Sequence, residues 1–151
     1  GPLPPMPTPV NHAASATDGT YLWVFGGRGG GNWPQPGFDN VQRFDPATGI
    51  WVDSSQPLSP LSPMPLGRGG TGRAVWHGEK FFIIGGETST GQVFDSVQVY
   101  SPHLDQWTED TPLPSPRHGI YPVVDGNRIF VIGGGVVAGA SESKITEILQ
   151  R

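Results

Sequence analysis

The sequence predicts an all-β chain made of repeated four-stranded antiparallel meanders, and three observations carry that expectation. An apolar run closing on paired glycines occurs three times: "YLWVFGG" at 21–27, "KFFIIGG" at 80–86 and "RIFVIGG" at 128–134. Each run follows a turn signal, Asp18-Gly19, His77-Gly78-Glu79 or Asp125-Gly126, which is the residue chemistry of a tight hairpin. The 151 residues include 23 Gly and 17 Pro, a density that leaves no window for an amphipathic helix. With 35% hydrophobic residues and 5 Trp, the chain has the apolar material to fold rather than stay disordered.

Each unit is justified strand by strand. A proline-rich connector comes first: "PPMPTP", "LSPMPLGR" and "PLPSPR". Strand a follows in "HAASAT", "TGRAVW" and "GIYPVV", then the hairpin turn, then strand b ending in the glycine pair. For strands c and d, "FDNVQRFDPATGIW" (38–51) aligns without gaps on "FDSVQVYSPHLDQW" (94–107). An aromatic, Phe44 or Tyr100, stands seven residues before a tryptophan, Trp51 or Trp107, with a turn between. The third unit offers only "SKITEILQR", in which Ile145 is expected to match Val41 and Val97, and Ile148 to match the aromatic. The expected organisation is one domain over 1–151, with units at about 8–56, 66–111 and 115–150, the last lacking its outermost strand.

A four-stranded sheet with two apolar faces buries neither alone; stacking such sheets radially around a channel buries both, which is the β-propeller solution. The recurring set of glycine pair, aromatic–x6–Trp, DG hairpin and P-x-P-R connector resembles the kelch repeat of kelch propellers and galactose-oxidase-like domains. The resemblance covers essentially the whole chain. The final unit is similar to the closing blade of bacterial kelch proteins, which commonly end at the third strand and take the outermost strand from the N-terminus. Three blades cover half of a six-bladed ring. The chain is therefore expected to be either the last three blades of a longer propeller or a half-ring that a two-fold homodimer closes.

The glycine pairs Gly26-Gly27, Gly85-Gly86 and Gly133-Gly134 read as structure. A phosphate cradle needs a helix directly after the loop, and strands follow here. Phe44, Trp51, Tyr100 and Trp107 recur and read as packing residues between blades. Candidate contact residues lie where the repeats stop agreeing. Arg28 follows the first glycine pair and Glu87 the second. Trp33 sits in "RGGGNWPQPG", a loop without a counterpart, where an exposed aromatic suits a sugar or a protein partner. Arg68 and Arg117 follow the connectors, with Val10 at that place in the first unit. In kelch proteins such arginines lie near the channel mouth, where some bind acidic ligands and others pair with backbone carbonyls. His118 and Tyr121 stand beside Arg117, and Arg73 lies mid-strand as a channel or pairing residue.

These residues point first to a binding module that displays its b–c loops to a protein or a carbohydrate. The alternative implied by the resemblance is a cofactor-free enzyme such as a sialic acid mutarotase, with Arg117 holding a carboxylate and His118 or Glu87 as acid–base. The absence of cysteine excludes the cysteine–tyrosine crosslink of copper-dependent galactose oxidases, and also disulfides. His12, His77, His103 and His118 have no metal-ligand spacing, so neither metal nor cofactor is expected. A net charge of −4 with nine scattered Lys and Arg argues against nucleic acid. No apolar run reaches the ~18–20 residues of a membrane span, and "GPLPPMPTP" lacks the basic start and apolar centre of a signal peptide. The compartment is left unassigned.

Overall fold

A computed structural model describes residues 1–30 and 37–151. Among the described residues, eleven strands pair into three antiparallel sheets. The first holds β1 (Ala14–Thr17), β2 (Leu22–Phe25), β3 (Val41–Asp45) and β4 (Ile50–Asp53). The second holds β5 (Val75–His77), β6 (Lys80–Ile84), β7 (Val97–Ser101) and β8 (Gln106–Asp110). The third has three strands, β9 (Val123–Asp125), β10 (Arg128–Ile132) and β11 (Thr146–Gln150). Each is a simple meander in chain order, and no helix occurs among the described residues. The chain is all-β, with the sheets stacked as propeller blades.

Side-chain alternation gives each blade two faces, and blade 2 buries both of its own, one against each neighbour. Trp23 and Phe25 point from blade 1 onto Phe81, Ile83 and Tyr100 of blade 2. Phe82, Ile84, Val97 and Val99 point the other way, onto Ile120, Ile129, Val131 and Leu149 of blade 3. The first junction is aromatic, with Trp23 and Phe81 centroids 5.3 Å apart, and the second aliphatic apart from Phe82. Trp107 packs edge-on to Phe25 at 6.0 Å across the junction. Trp51 stands on the outward side of blade 1, 5.0 Å from Phe44, and its indole N–H donates to the carbonyl of Pro4.

The third unit is displaced by one residue from its sequence alignment. Phe25 faces Val41 and Ile84 faces Val97, while Ile132 faces Thr146. Leu149 rather than Ile148 therefore holds the place of Phe44 and Tyr100. A one-residue slip reverses every face of a strand, and burial shows the outcome: Leu149 is in the core and Ile148 is exposed.

The connectors are held in the same way in both complete blades. The Gln42 amide brackets Thr8, accepting from its N–H and donating to its carbonyl, both at 3.0 Å. Gln98 brackets Leu66 likewise, at 3.3 and 2.9 Å. The side-chain amide replaces a strand partner, which explains a buried glutamine at each "VQ".

Candidate functional site

The glycine pairs join the blades. Gly27 donates its N–H to the carbonyl of Arg68, and Gly86 to that of Arg117, each at 2.8 Å. A Cβ on Gly26 or Gly85 would collide with that same carbonyl oxygen, and these glycines carry φ of 59° and 61°. Close approach and a left-handed backbone together demand glycine. Nearer the axis, Gly70 donates to His12 and Gly119 donates to Gly70, so corresponding residues of the three blades form a chain of hydrogen bonds.

Arg68 and Arg117 carry this seam inward. The Arg68 guanidinium donates to the carbonyls of Gly85 and Ser96 and to the Ser96 hydroxyl. Burial pushes it down to about 10, which leaves it charged at neutral pH. Arg117 is 0% exposed. It donates to the carbonyls of Val131, Gly133 and Ile145 at 3.3, 3.1 and 2.9 Å and pairs with Glu147. Both arginines cap the turn between b and c in their own blade. Of the two roles open to them, they perform the backbone-pairing one. Arg117 is turned away from any ligand carboxylate, because its guanidinium is wholly buried against carbonyls and Glu147 inside the fold.

Three other candidates meet on the face carrying the b–c loops. Arg28, Glu87 and His118 come from three different blades, aligned by the isolated bridges Asn11–Arg28, Gly69–Glu87 and His118–Gly135. Arg28 pairs with Glu87 Oε1. His118 Nδ1 lies 3.5 Å from the same oxygen. Glu87 Oε2 accepts the Gly139 N–H at 2.8 Å, and His118 Nε2 lies 2.9 Å from the Val137 carbonyl. Glu87 is 2% exposed and His118 nearly as buried; burial lowers the Arg28 guanidinium. The buried charge is thus compensated by pairing across blades.

Around this cluster the face is open. A 330 Å³ recess is lined by Arg28, Glu87, Thr88, Ser89 and Gly139. A 370 Å³ recess at the axis is lined by His12, Gly70, Gly119 and Tyr121. Tyr121 is 69% and Val137 65% exposed. Arg73 is exposed in a separate groove between Trp76 and Val123. Trp33 lies outside the described residues. Sequence reasoning missed Ser141, whose hydroxyl donates to the Val137 carbonyl and accepts from the Val137 N–H. That hydroxyl is 3.5 Å from His118 Nε2 but already directed at a carbonyl, so the group is a loop brace rather than a nucleophile with its base.

Comparison with known proteins agrees with this architecture. The KLHDC2/KLHL20/DRC7 Kelch-repeats domain model matches residues 3–134. The chain is similar to Kelch-like protein terF of Aspergillus terreus, 33% identical over 98% of this chain and 31% of that protein. It is also similar to Kelch-like ECH-associated protein 1A of Danio rerio, 31% identical over 88% of this chain and 19% of that protein. The human Influenza virus NS1A-binding protein is 29% identical over 78% of this chain and 18% of its own length. The chain thus spans less than a third of each of these relatives.

Proposed function

The chain belongs to the kelch-repeat family, and from that premise we propose that it is a protein-binding module whose contacts are made by the b–c loop face. The observation that carries this is the convergence of Arg28, Glu87 and His118, from three blades, beneath a face on which Tyr121 and Val137 are exposed. A buried polar base under exposed apolar and aromatic side chains supports a preorganised contact surface. A relative named as a binding protein supports the same class of role. Affinity capture comparing the wild type with Tyr121→Ala and Val137→Asp tests it. A partner lost with these variants, and rebound as a purified protein, bears the reading out. Capture indifferent to both variants, or glycan-array binding abolished by Trp33→Ala, replaces protein with another surface or with carbohydrate.

The same proposal includes ring closure by a second copy of the isolated chain. Leu22 and Val24 occupy in β2 the places that Phe81 and Ile83 occupy in β6, yet Leu22 is 44% exposed. Phe130 and Ile132 occupy the places of Phe82 and Ile84, yet Ile132 is 55% exposed. A groove of 780 Å³ between the inner strands of the three blades, lined by Ala16, Val75 and Val123, opens beside Leu22, Val24 and Trp51. At Gly134 no carbonyl faces the N–H among the described residues, whereas Gly27 and Gly86 have Arg68 and Arg117. Two copies related by a two-fold axis would supply each open face with the other. Sedimentation equilibrium at twice 16.1 kDa supports closure, and a stable monomer at high concentration overturns it.

A further inference from the structure

We propose that His118 is a pH-operated latch that fixes the 136–141 loop against blade 2 and so sets the shape of the b–c loop face. This deepens the binding reading above and rests on it for its biological meaning, but the latch itself is defined by geometry within this chain.

One ring nitrogen of His118 is hydrogen-bonded to a carbonyl and the other stands at ion-pair distance from a carboxylate. Nε2 is 2.9 Å from the Val137 carbonyl and Nδ1 is 3.5 Å from Glu87 Oε1. A neutral imidazole has one N–H, so it can serve only one of them; the imidazolium serves both. The ring occupies space that a glycine leaves open. Gly135 stands where the other blades carry Arg28 and Glu87, and a Cβ there would run into His118 Nε2 and the Ser141 hydroxyl.

The two acceptors are the two anchors of the loop. Val137 belongs to it directly. Glu87 holds it through Oε2, which accepts from the Gly139 N–H. Protonated His118 therefore ties carboxylate and loop together, while neutral His118 releases one tie and turns a lone pair toward an acceptor. The groups facing the ring are Glu87 from blade 2, with Arg28 of blade 1 behind it, and the Val137 carbonyl and Ser141 hydroxyl from the loop. The adjacent Arg117 is committed to Glu147 and three carbonyls. Arg28 competes with His118 for Glu87 Oε1, which lets the carboxylate stay paired when the histidine loses its proton. The latch can thus open without leaving a buried charge alone. The loop it governs carries Val137, exposed at the face.

The test is an NMR titration of the full chain between about pH 5 and 8, the range in which an imidazole ordinarily changes charge. His118 should show both nitrogens protonated at the acid end. The Gly139 and Val137 amides should move with the same midpoint, and Gly139 should lose exchange protection severalfold, after correction for intrinsic rates, as the proton leaves. In His118→Gln, which keeps one donor and does not titrate, those amides should be flat with pH. A single neutral tautomer of His118 throughout, or a His118 titration that the Gly139 amide ignores, overturns the latch. Wild-type spectra alone decide the matter if the variant fails to fold, and no partner is needed, so failure of the binding reading would be seen separately.

Discussion

The amide of Gly86 donates to the carbonyl of Arg117 at 2.8 Å, across the junction between the second and third blades. The same arginine turns its guanidinium back onto Gly133 and Ile145 of its own blade. One residue thus joins a blade to its predecessor through its backbone and closes its own b–c turn through its side chain. Arg68 does the same one blade earlier.

Gly85→Ala should destabilise the fold by about 3 kcal/mol, from a left-handed backbone and overpacking against the Arg117 carbonyl. Gly133→Ala should cost the monomer only about 1 kcal/mol, because the nearest atom to its Cβ is Ser143 O at 3.5 Å. Urea unfolding of the two variants measures the contrast, and equal losses would remove the seam as its cause.

Arg117→Met should cost about 3–5 kcal/mol, since it strands Glu147 and several carbonyls in a buried site. Arg117→Lys should recover little, because a single ammonium nitrogen cannot stand both at the carbonyls that Nη1 serves and at the Glu147 carboxylate that Nη2 serves. A lysine variant as stable as wild type would show that charge alone matters there.

Stability should fall in acid, where carboxylates paired in the fold take up protons. Burial works to raise the Asp105 carboxyl, but hydrogen bonds from Tyr100 and Ser62 outweigh it and hold the group below the usual range. Asp53 is held down against its burial by Thr8, Ser55 and Asn40. A depressed folded-state value gives stability that is full above the unfolded value of about 3.9 and lost as pH falls through the folded one. Asp105→Asn, which tolerates the positive φ of 49° at this position, should lose about 1–2 kcal/mol at neutral pH and flatten the acid limb. An unchanged acid limb in chemical denaturation would assign it to other carboxylates.

Ile132→Asp should leave the two internal junctions intact, because its side chain faces away from blade 2. It should abolish any dimer, with the sedimenting mass returning to 16.1 kDa and little change in the unfolding midpoint of dilute protein. Val131→Asp, buried in the second junction, should unfold the chain instead. A dimer that tolerates Ile132→Asp uses a different surface.

Much of the fold was legible in the sequence because its signals are local. Glycine pairs, hairpin turns and the aromatic–x6–Trp spacing act within one unit, and repetition sets them above chance. The register of the third unit was not legible, because it lacks both the aromatic and the tryptophan. There, "KITEIL" supports two alignments, and only pairing with β10 chooses between them. Gln42 and Gln98 were present in the aligned segments, but their bracketing of the connectors is a contact across more than thirty residues.

By itself, then, the sequence determined an all-β chain of three kelch units and its glycine turns, since backbone stereochemistry and alternation are written residue by residue. Tertiary structure alone decided which polar residues meet. Arg28, Glu87 and His118 lie 59 and 31 positions apart (28 to 87, 87 to 118) and converge because corresponding strand ends of stacked blades face one axis. It also decided that Arg117, one residue from His118, points the opposite way into the core, because successive residues of extended chain turn to opposite sides.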